Sequence, residues 1–189
     1  FFERQEHFAQ AAQSIVALVT RRLPGYLGYG EKERRNLAMH NIQVLAPAKK
    51  GECGVAALNR ALQEALNPPG TGKPSLTWGE NIFRLGDKVI QMKNDYQLEW
   101  RRKTPAGWED GEGVFNGDVG FITAVDVEEH CLTVCFDEEK EAVYASAQLE
   151  NLELAYCLSV HKSQGSEFPV VVMPVVGGPP MLLTRNLFY

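Results

Sequence analysis

Ten residues near the C-terminal end, Ser159-Val160-His161-Lys162-Ser163-Gln164-Gly165-Ser166-Glu167-Phe168, constrain the fold more than any other stretch of this chain. They separate two apolar runs, residues 154–158 and 170–175. Short apolar runs rich in β-branched residues read as buried strands, so the polar segment reads as a turn or short helix between two strands. Its donors and acceptors crowd around one glycine at the end of a strand. Open α/β sheets gather their ligand contacts there, beyond the carboxyl ends of the strands.

The composition narrows the options. The chain has 189 residues, 44% of them hydrophobic and 23% charged, which is globular and enough for one domain or two small ones. The net charge of −5 excludes a global basic field, so any nucleic-acid binding must come from local patches. Cys53, Cys131, Cys135 and Cys157 lack zinc-type spacing, and no metal site is expected. Cys131 and Cys135 are placed to face the same side of a strand, and all four read as buried or half-buried thiols of a reducing compartment. No signal peptide and no membrane-length apolar run occurs. The chain opens on Phe1-Phe2 and closes on Leu187-Phe188-Tyr189, which reads as a piece of something longer.

Along the chain, Phe8, Ala12, Ile15, Val16 and Val19 recur at helical spacing, and this helix is expected to stop before Pro24-Gly25. Ile42–Ala46 reads as a buried strand. Val55, Leu58, Leu62 and Leu66 mark one face of a second helix, ended by Asn67-Pro68-Pro69-Gly70. After about residue 76 short strands follow one another: 87–92, 119–127, 131–136 and 141–145, with turn-like separators. Residues 94–113 read as a long loop or an irregular hairpin. The α/β texture returns from Leu152, so a small β-barrel inserted into an α/β domain is the simplest organisation.

Gly70-Thr71-Gly72-Lys73-Pro74-Ser75 mimics the end of a phosphate-binding loop, but the chemistry rejects it. Asn67 stands where the first glycine is needed, and Pro74 where a magnesium-holding Ser or Thr is needed. Trp100 and Trp108 flank Arg101-Arg102-Lys103, an aromatic and basic cluster diluted by Glu109, Asp110 and Glu112. It reads as a contact for DNA or a protein partner, or as a solvated surface.

Four segments in order resemble the RecD-like branch of superfamily 1 DNA helicases. The first is Ile42-Gln43-Val44-Leu45-Ala46-Pro47-Ala48-Lys49-Lys50-Gly51, followed by Gly54, Leu58-Asn59 and Leu66-Asn67-Pro68. The second is Gly86-Asp87-Lys88-Val89-Ile90-Gln91-Met92-Lys93-Asn94-Asp95-Tyr96, and the third Gly113-Val114-Phe115-Asn116-Gly117-Asp118-Val119-Gly120. The fourth is Tyr156-Cys157-Leu158 running into the polar decapeptide, and Leu183-Thr184-Arg185-Asn186-Leu187-Phe188-Tyr189 resembles the start of the next motif.

The resemblance implies a partial RecA-like parallel-sheet domain, residues 1–75 and 151–189, with an SH3-like barrel over 76–150. It identifies the decapeptide with motif V, which links nucleotide state to the grip on DNA. Ser159, His161, Lys162, Ser163, Gln164, Gly165 and Glu167 are then expected to serve DNA binding and ATP coupling. The residue chemistry agrees. His161 and Lys162 can donate to phosphate oxygens, Gly165 allows close approach of backbone, and Glu167 can accept from a hydroxyl. A locally capped polar turn is the alternative.

Lys49 and Lys50, between a strand and a helix, are candidate phosphate contacts or simply a solvated loop. The family often carries an Arg pair there, so these lysines keep charge and lose bidentate geometry. Asn94, Tyr96, Phe115 and Asn116 are candidate strand contacts by stacking and hydrogen bonding, with Phe115 alternatively in the barrel core.

The resemblance also implies ATP and Mg²⁺ in the full-length parent, with none bound to this piece. It implies 5′-to-3′ movement and a cytoplasmic, nucleoid-associated protein. The implied partners are single-stranded DNA, the parent's first RecA-like motor domain and other helicase–nuclease subunits, with no membrane. A non-catalytic DNA-binding or protein-docking module, or the motor of a conjugative relaxase–helicase, are the alternatives. No catalytic residue is expected here. The Walker A loop and acidic magnesium site belong to the other motor domain, and the arginine finger lies past Tyr189, so Arg185 is not its match. The isolated 189-residue chain is therefore expected to show no ATP hydrolysis above background in a phosphate-release assay, with or without single-stranded DNA.

Overall fold

The computed structural model describes residues 3–5, 7–137 and 139–175, which belong to two compact units, Phe1–Pro68 with Tyr156–Tyr189 and Pro69–Ala155. In chain order the first unit runs α1 (Phe8–Ala17), a π-helical turn (Leu18–Arg22), α2 (Leu23–Tyr26), α3 (Glu31–His40), β1 (Ile42–Ala46) and α4 (Val55–Leu66). The second holds β2 (Ser75–Trp78), β3 (Asn81–Arg84), β4 (Lys88–Gln91), β5 (Asp95–Thr104), β6 (Gly107–Val114), β7 (Val119–Asp126), β8 (Cys131–Phe136) and β9 (Lys140–Tyr144). A 3₁₀ turn (Ser146–Asn151) and β10 (Leu152–Leu154) close it, and the chain returns as β11 (Cys157–Ser159) and β12 (Val170–Val172).

In the first unit, helix does not stop before Pro24. It passes through the wider π turn into α2, which holds Pro24 directly after that turn. The apolar stripe of α1 buries Ile15, and Val19 is buried just beyond it. Phe8 is exposed. Leu58, Leu62 and Leu66 of α4 are buried as their spacing predicts, together with Asn59 and Gln63. The sheet order is β11-β1-β12 and both pairings are parallel. Val44 of β1 faces Cys157 on one side and Val172 on the other.

The second unit contains a seven-stranded antiparallel sheet, order β10-β4-β7-β8-β9-β5-β6, and the β2–β3 hairpin. Alternation is plain in β8, where Leu132, Val134 and Phe136 are buried while Cys131, Thr133 and Cys135 are half-buried on the opposite face. Residues 95–114 form a long hairpin with one register shift between Asp95 and Glu99, the better of the two sequence readings. The apolar run 154–158 is not one strand. Leu154 ends β10 in the second unit and Cys157 begins β11 in the first.

Two turns share one local code. In Arg84-Leu85-Gly86-Asp87, the Asp87 carboxylate accepts from Arg84 N at 2.7 Å and Asp87 N donates to Arg84 O at 3.0 Å. In Phe115-Asn116-Gly117-Asp118, Asp118 accepts from Phe115 N at 2.8 Å and donates to Phe115 O at 3.0 Å. The third residue is glycine with φ of 83° and 103°, a region costly for a side chain. The first turn is bolted to β7 by Gly86 N to Ile122 O and Ile122 N to Asp87 O. The second is bolted to Gln91 by Gln91 N to Asp118 O and Gly117 N to Gln91 O. The fully buried Gln91 side chain donates to Lys93 O at 2.8 Å and accepts from Tyr144 Oη at 2.9 Å. Burial pushes the Tyr144 phenol up, and the Asp95 and Asp118 charges push the same way, so it stays a neutral donor.

Lys88 is only 6% exposed, and burial lowers its pKa to about 8. Between pH 8 and the ordinary lysine value of 10.5 the unfolded chain holds a proton that the folded chain has released. Stability therefore rises with pH across that window. In urea denaturation at pH 7.5 and 10, wild type should gain stability relative to Lys88→Met over this interval, while the raised thiols and Tyr144, common to both proteins, cancel in the difference.

Candidate functional site

In the first unit, two loops leave the carboxyl ends of neighbouring parallel strands. Ala46, last residue of β1, is opposite Ser159, last residue of β11, and Val160 N donates to Ala46 O at 3.3 Å. The loop after β1 carries Lys49 and Lys50, both exposed. The loop after β11 carries the polar decapeptide. Ten residues, 160–169, take the chain from the end of β11 to β12, whose Val170 is level with Ile42 at the start of β1.

Three of the predicted residues shape this second loop. Ser159 O accepts from Lys162 N at 2.9 Å and Ser163 N at 3.2 Å, and Ser159 Oγ accepts from Lys162 N at 3.3 Å. Ser163 Oγ donates to Val160 O at 2.8 Å. Gly165 has φ of 84°. The hydroxyls of Ser159 and Ser163 are thus used within the turn, as the locally capped reading holds. His161, Gln164 and Glu167 are exposed and Lys162 is half-buried.

The loop after β1 differs from a phosphate cradle in one respect. The first N–H groups of α4 are taken by the loop itself, with Val55 N donating to Ala48 O at 3.0 Å and Ala56 N to Lys49 O at 3.4 Å. The first two N–H groups of the helix are therefore occupied within the chain. What the loop offers outward is two ammonium groups. Gly54 makes the wrap possible, because a Cβ there would lie 2.5 Å from Lys50 O and 2.8 Å from Lys49 O.

In the second unit, Asn94, Tyr96, Phe115 and Asn116 come together on the surface. Asn94 Oδ1 accepts from Asn116 N at 2.9 Å and Asn94 Nδ2 donates to Tyr96 Oη at 3.2 Å. The Tyr96 and Phe115 rings meet edge-on, with centroids 5.7 Å apart. Tyr96 is 67% and Phe115 45% exposed, so Phe115 is not core. The Trp100–Trp108 cluster is turned on itself. Arg101 lies 5.5 Å over Trp108, Arg102 and Lys140 share the Trp100 ring, and Arg102 pairs with Glu109 at 2.8 Å. Residues 183–189 and the apolar termini lie outside the described residues.

Residues 58–136 match the family model of the ATP-dependent RecD-like DNA helicase SH3 domain, and residues 154–189 that of the UvrD-like helicase C-terminal domain. The ATP-dependent RecD2 DNA helicase of Deinococcus radiodurans is 38% identical over 148 residues, 78% of this chain and 18% of that protein. The chain belongs to the RecD-like helicase family. The RecBCD enzyme subunit RecD of Mycolicibacterium smegmatis is 27% identical over 160 residues, 85% of this chain and 24% of that protein. The chain thus spans about a fifth to a quarter of these relatives. A crystal structure of Bacteroides Pif1 bound to ssDNA has a TM-score of 0.44 and 13% identity, over 95% of this chain and 45% of that one.

Within this RecD-like chain, two buried amides belong to the first resembling segment but have no role assigned by it. Gln43 Nε2 donates to Tyr156 O at 3.2 Å, and Asn59 bonds both backbone groups of Cys157. A polar residue on the apolar face of α4 was the available signal. Among the described residues no helix is long and apolar enough to cross a membrane. Gly54→Ala should cost about 1–3 kcal/mol in urea denaturation, because the contacted atoms are backbone and the loop must shift. Amide chemical-shift changes should centre on Lys49 and Lys50.

Proposed function

We propose that this chain forms part of the second motor domain of an ATP-dependent DNA helicase, with 76–150 as an SH3-like insertion and 1–75 and 151–189 as motor. Its parent uses ATP and Mg²⁺, moves 5′ to 3′ on single-stranded DNA, and works with a first motor domain that carries the nucleotide-hydrolysing groups. The observation that carries this reading is the pairing of Ala46 with Ser159, which brings a dibasic loop and a motif V-like loop to the same end of one parallel sheet. Lys49 and Lys50 meet phosphates as point charges. His161, Lys162, Gln164 and Glu167, on a turn braced by Ser159 and Ser163, respond to the nucleotide and alter the hold on the strand. Tyr96 and Phe115 offer stacking faces, with the Asn94 and Asn116 amides beside them. The RecBCD RecD relatives support a further partner class, the other subunits of a helicase–nuclease in recombination and repair.

In the full-length protein, His161→Ala should reduce stimulation of ATP hydrolysis by single-stranded DNA about tenfold, the worth of one hydrogen bond to a charged group. Basal hydrolysis should change little. Stimulation equal to wild type would return His161 to a surface role and undercut the coupling reading.

A further inference from the structure

One buried side chain ties the helix behind the first loop to the strand before the second. Asn59, on α4, is 6% exposed. Its Nδ2 donates to Cys157 O at 2.9 Å, and its Oδ1 accepts from Cys157 N at 2.8 Å. Val160 N reaches Ala46 O on β1, so Cys157, an odd number of residues away, turns its peptide groups to the other edge of β11. An edge exposes unpaired N–H and C=O groups, and a primary amide offers the donor and acceptor that match them. Asn59 thus does for one residue what a neighbouring strand does for several. At the start of the same helix, Val55 N and Ala56 N hold Ala48 O and Lys49 O. A continuous path of hydrogen bonds and helix backbone therefore runs from the Lys49–Lys50 loop through Asn59 to Cys157, two residues before Ser159.

We propose that Asn59 is a positioning residue that couples the two loops, so that a change at one is transmitted through α4 and β11 to the other. This rests on the reading that the loops serve strand grip and nucleotide response. Asn59 touches neither ligand. Its two bonds hold Cys157, the first residue of β11, two residues before Ser159, where the His161 turn begins. Aspartate cannot replace it, because a carboxylate accepts from Cys157 N but faces Cys157 O without a proton to donate.

The test uses the full-length protein, a fluorescein-labelled oligo(dT) and anisotropy, with and without a non-hydrolysable ATP analogue. The wild type should bind the oligonucleotide with different affinity in the two states. Asn59→Leu and Asn59→Asp should shrink that ratio about fivefold or more, the lower range of allosteric coupling, while nucleotide-free affinity stays near wild type. Amide exchange at Cys157 should quicken in Asn59→Leu, which loses the bond to Cys157 N, and not in Asn59→Asp, which keeps it. Where Asn59→Leu does not fold, Asn59→Asp, which keeps one of the two bonds, decides. An unchanged ratio in a folded variant overturns the coupling role alone. A wild type whose affinity ignores the nucleotide overturns the functional reading and this inference with it.

Discussion

The first unit depends on a strand with no local partner. β1 is flanked on both sides by strands that lie beyond residue 156, and every one of its pairings is parallel and distant in sequence. Such contacts form only after the loop-closure entropy of the intervening chain has been met. The centre of the α/β layer is therefore laid down early in the sequence and completed late. The same arrangement makes the candidate site. Parallel pairing puts the carboxyl ends of β1 and β11 side by side, so residues more than a hundred positions apart in sequence share one rim.

Buried polar groups divide the work consistently. Gln43, Asn59, Asp87 and Gln91 are almost wholly buried, and each bonds to backbone. None of these bonds needs to add much net stability, since each replaces a bond to water. Their value lies in the alternative: a backbone group left unpaired in the interior is costly, so each amide or carboxylate permits one conformation of the segment it holds. The segments so held are β11, the turn before β4 and the residues leading to Asn94. Rigid support under an exposed loop is how a surface contact keeps its geometry.

Much of this was legible in the residues. The stripe of α4, the alternation in β8 and the strand Ile42–Ala46 all follow from periodicity. Other features were not. α3 has a charged sequence whose buried residues, Leu37, Ala38 and Met39, crowd its last turn, so no apolar period marks it. Pro24 suggested a helix end, but the helix widens to a π turn over the residues just before it and continues. Residues 154–158 looked like a single strand because hydrophobicity reports burial and is blind to which sheet does the burying. At the site, Asn94, Tyr96, Phe115 and Asn116 were grouped as candidate contacts from the sequence, but their bonds to one another were not legible, since the pairing of Asp95 with Val114 is what brings the two segments together. Local capping of the decapeptide was one of two readings the sequence left open, because a hydroxyl that caps and one that binds a ligand look alike in sequence.

The paired turns ending in Gly86-Asp87 and Gly117-Asp118 carry a consequence for how such a surface can diverge. The hydrogen bonds that close each turn use only the backbone of its first residue. In one turn that residue is the buried Arg84, in the other the half-exposed Phe115. At the exposed Phe115 the side chain is thus separate from the hydrogen bonds that set the bend. Aromatic, cationic or small side chains can be exchanged there while the glycine and aspartate go on setting the bend. Related proteins could retune what this edge of the sheet touches by single substitutions at that one place, leaving the path of the chain intact.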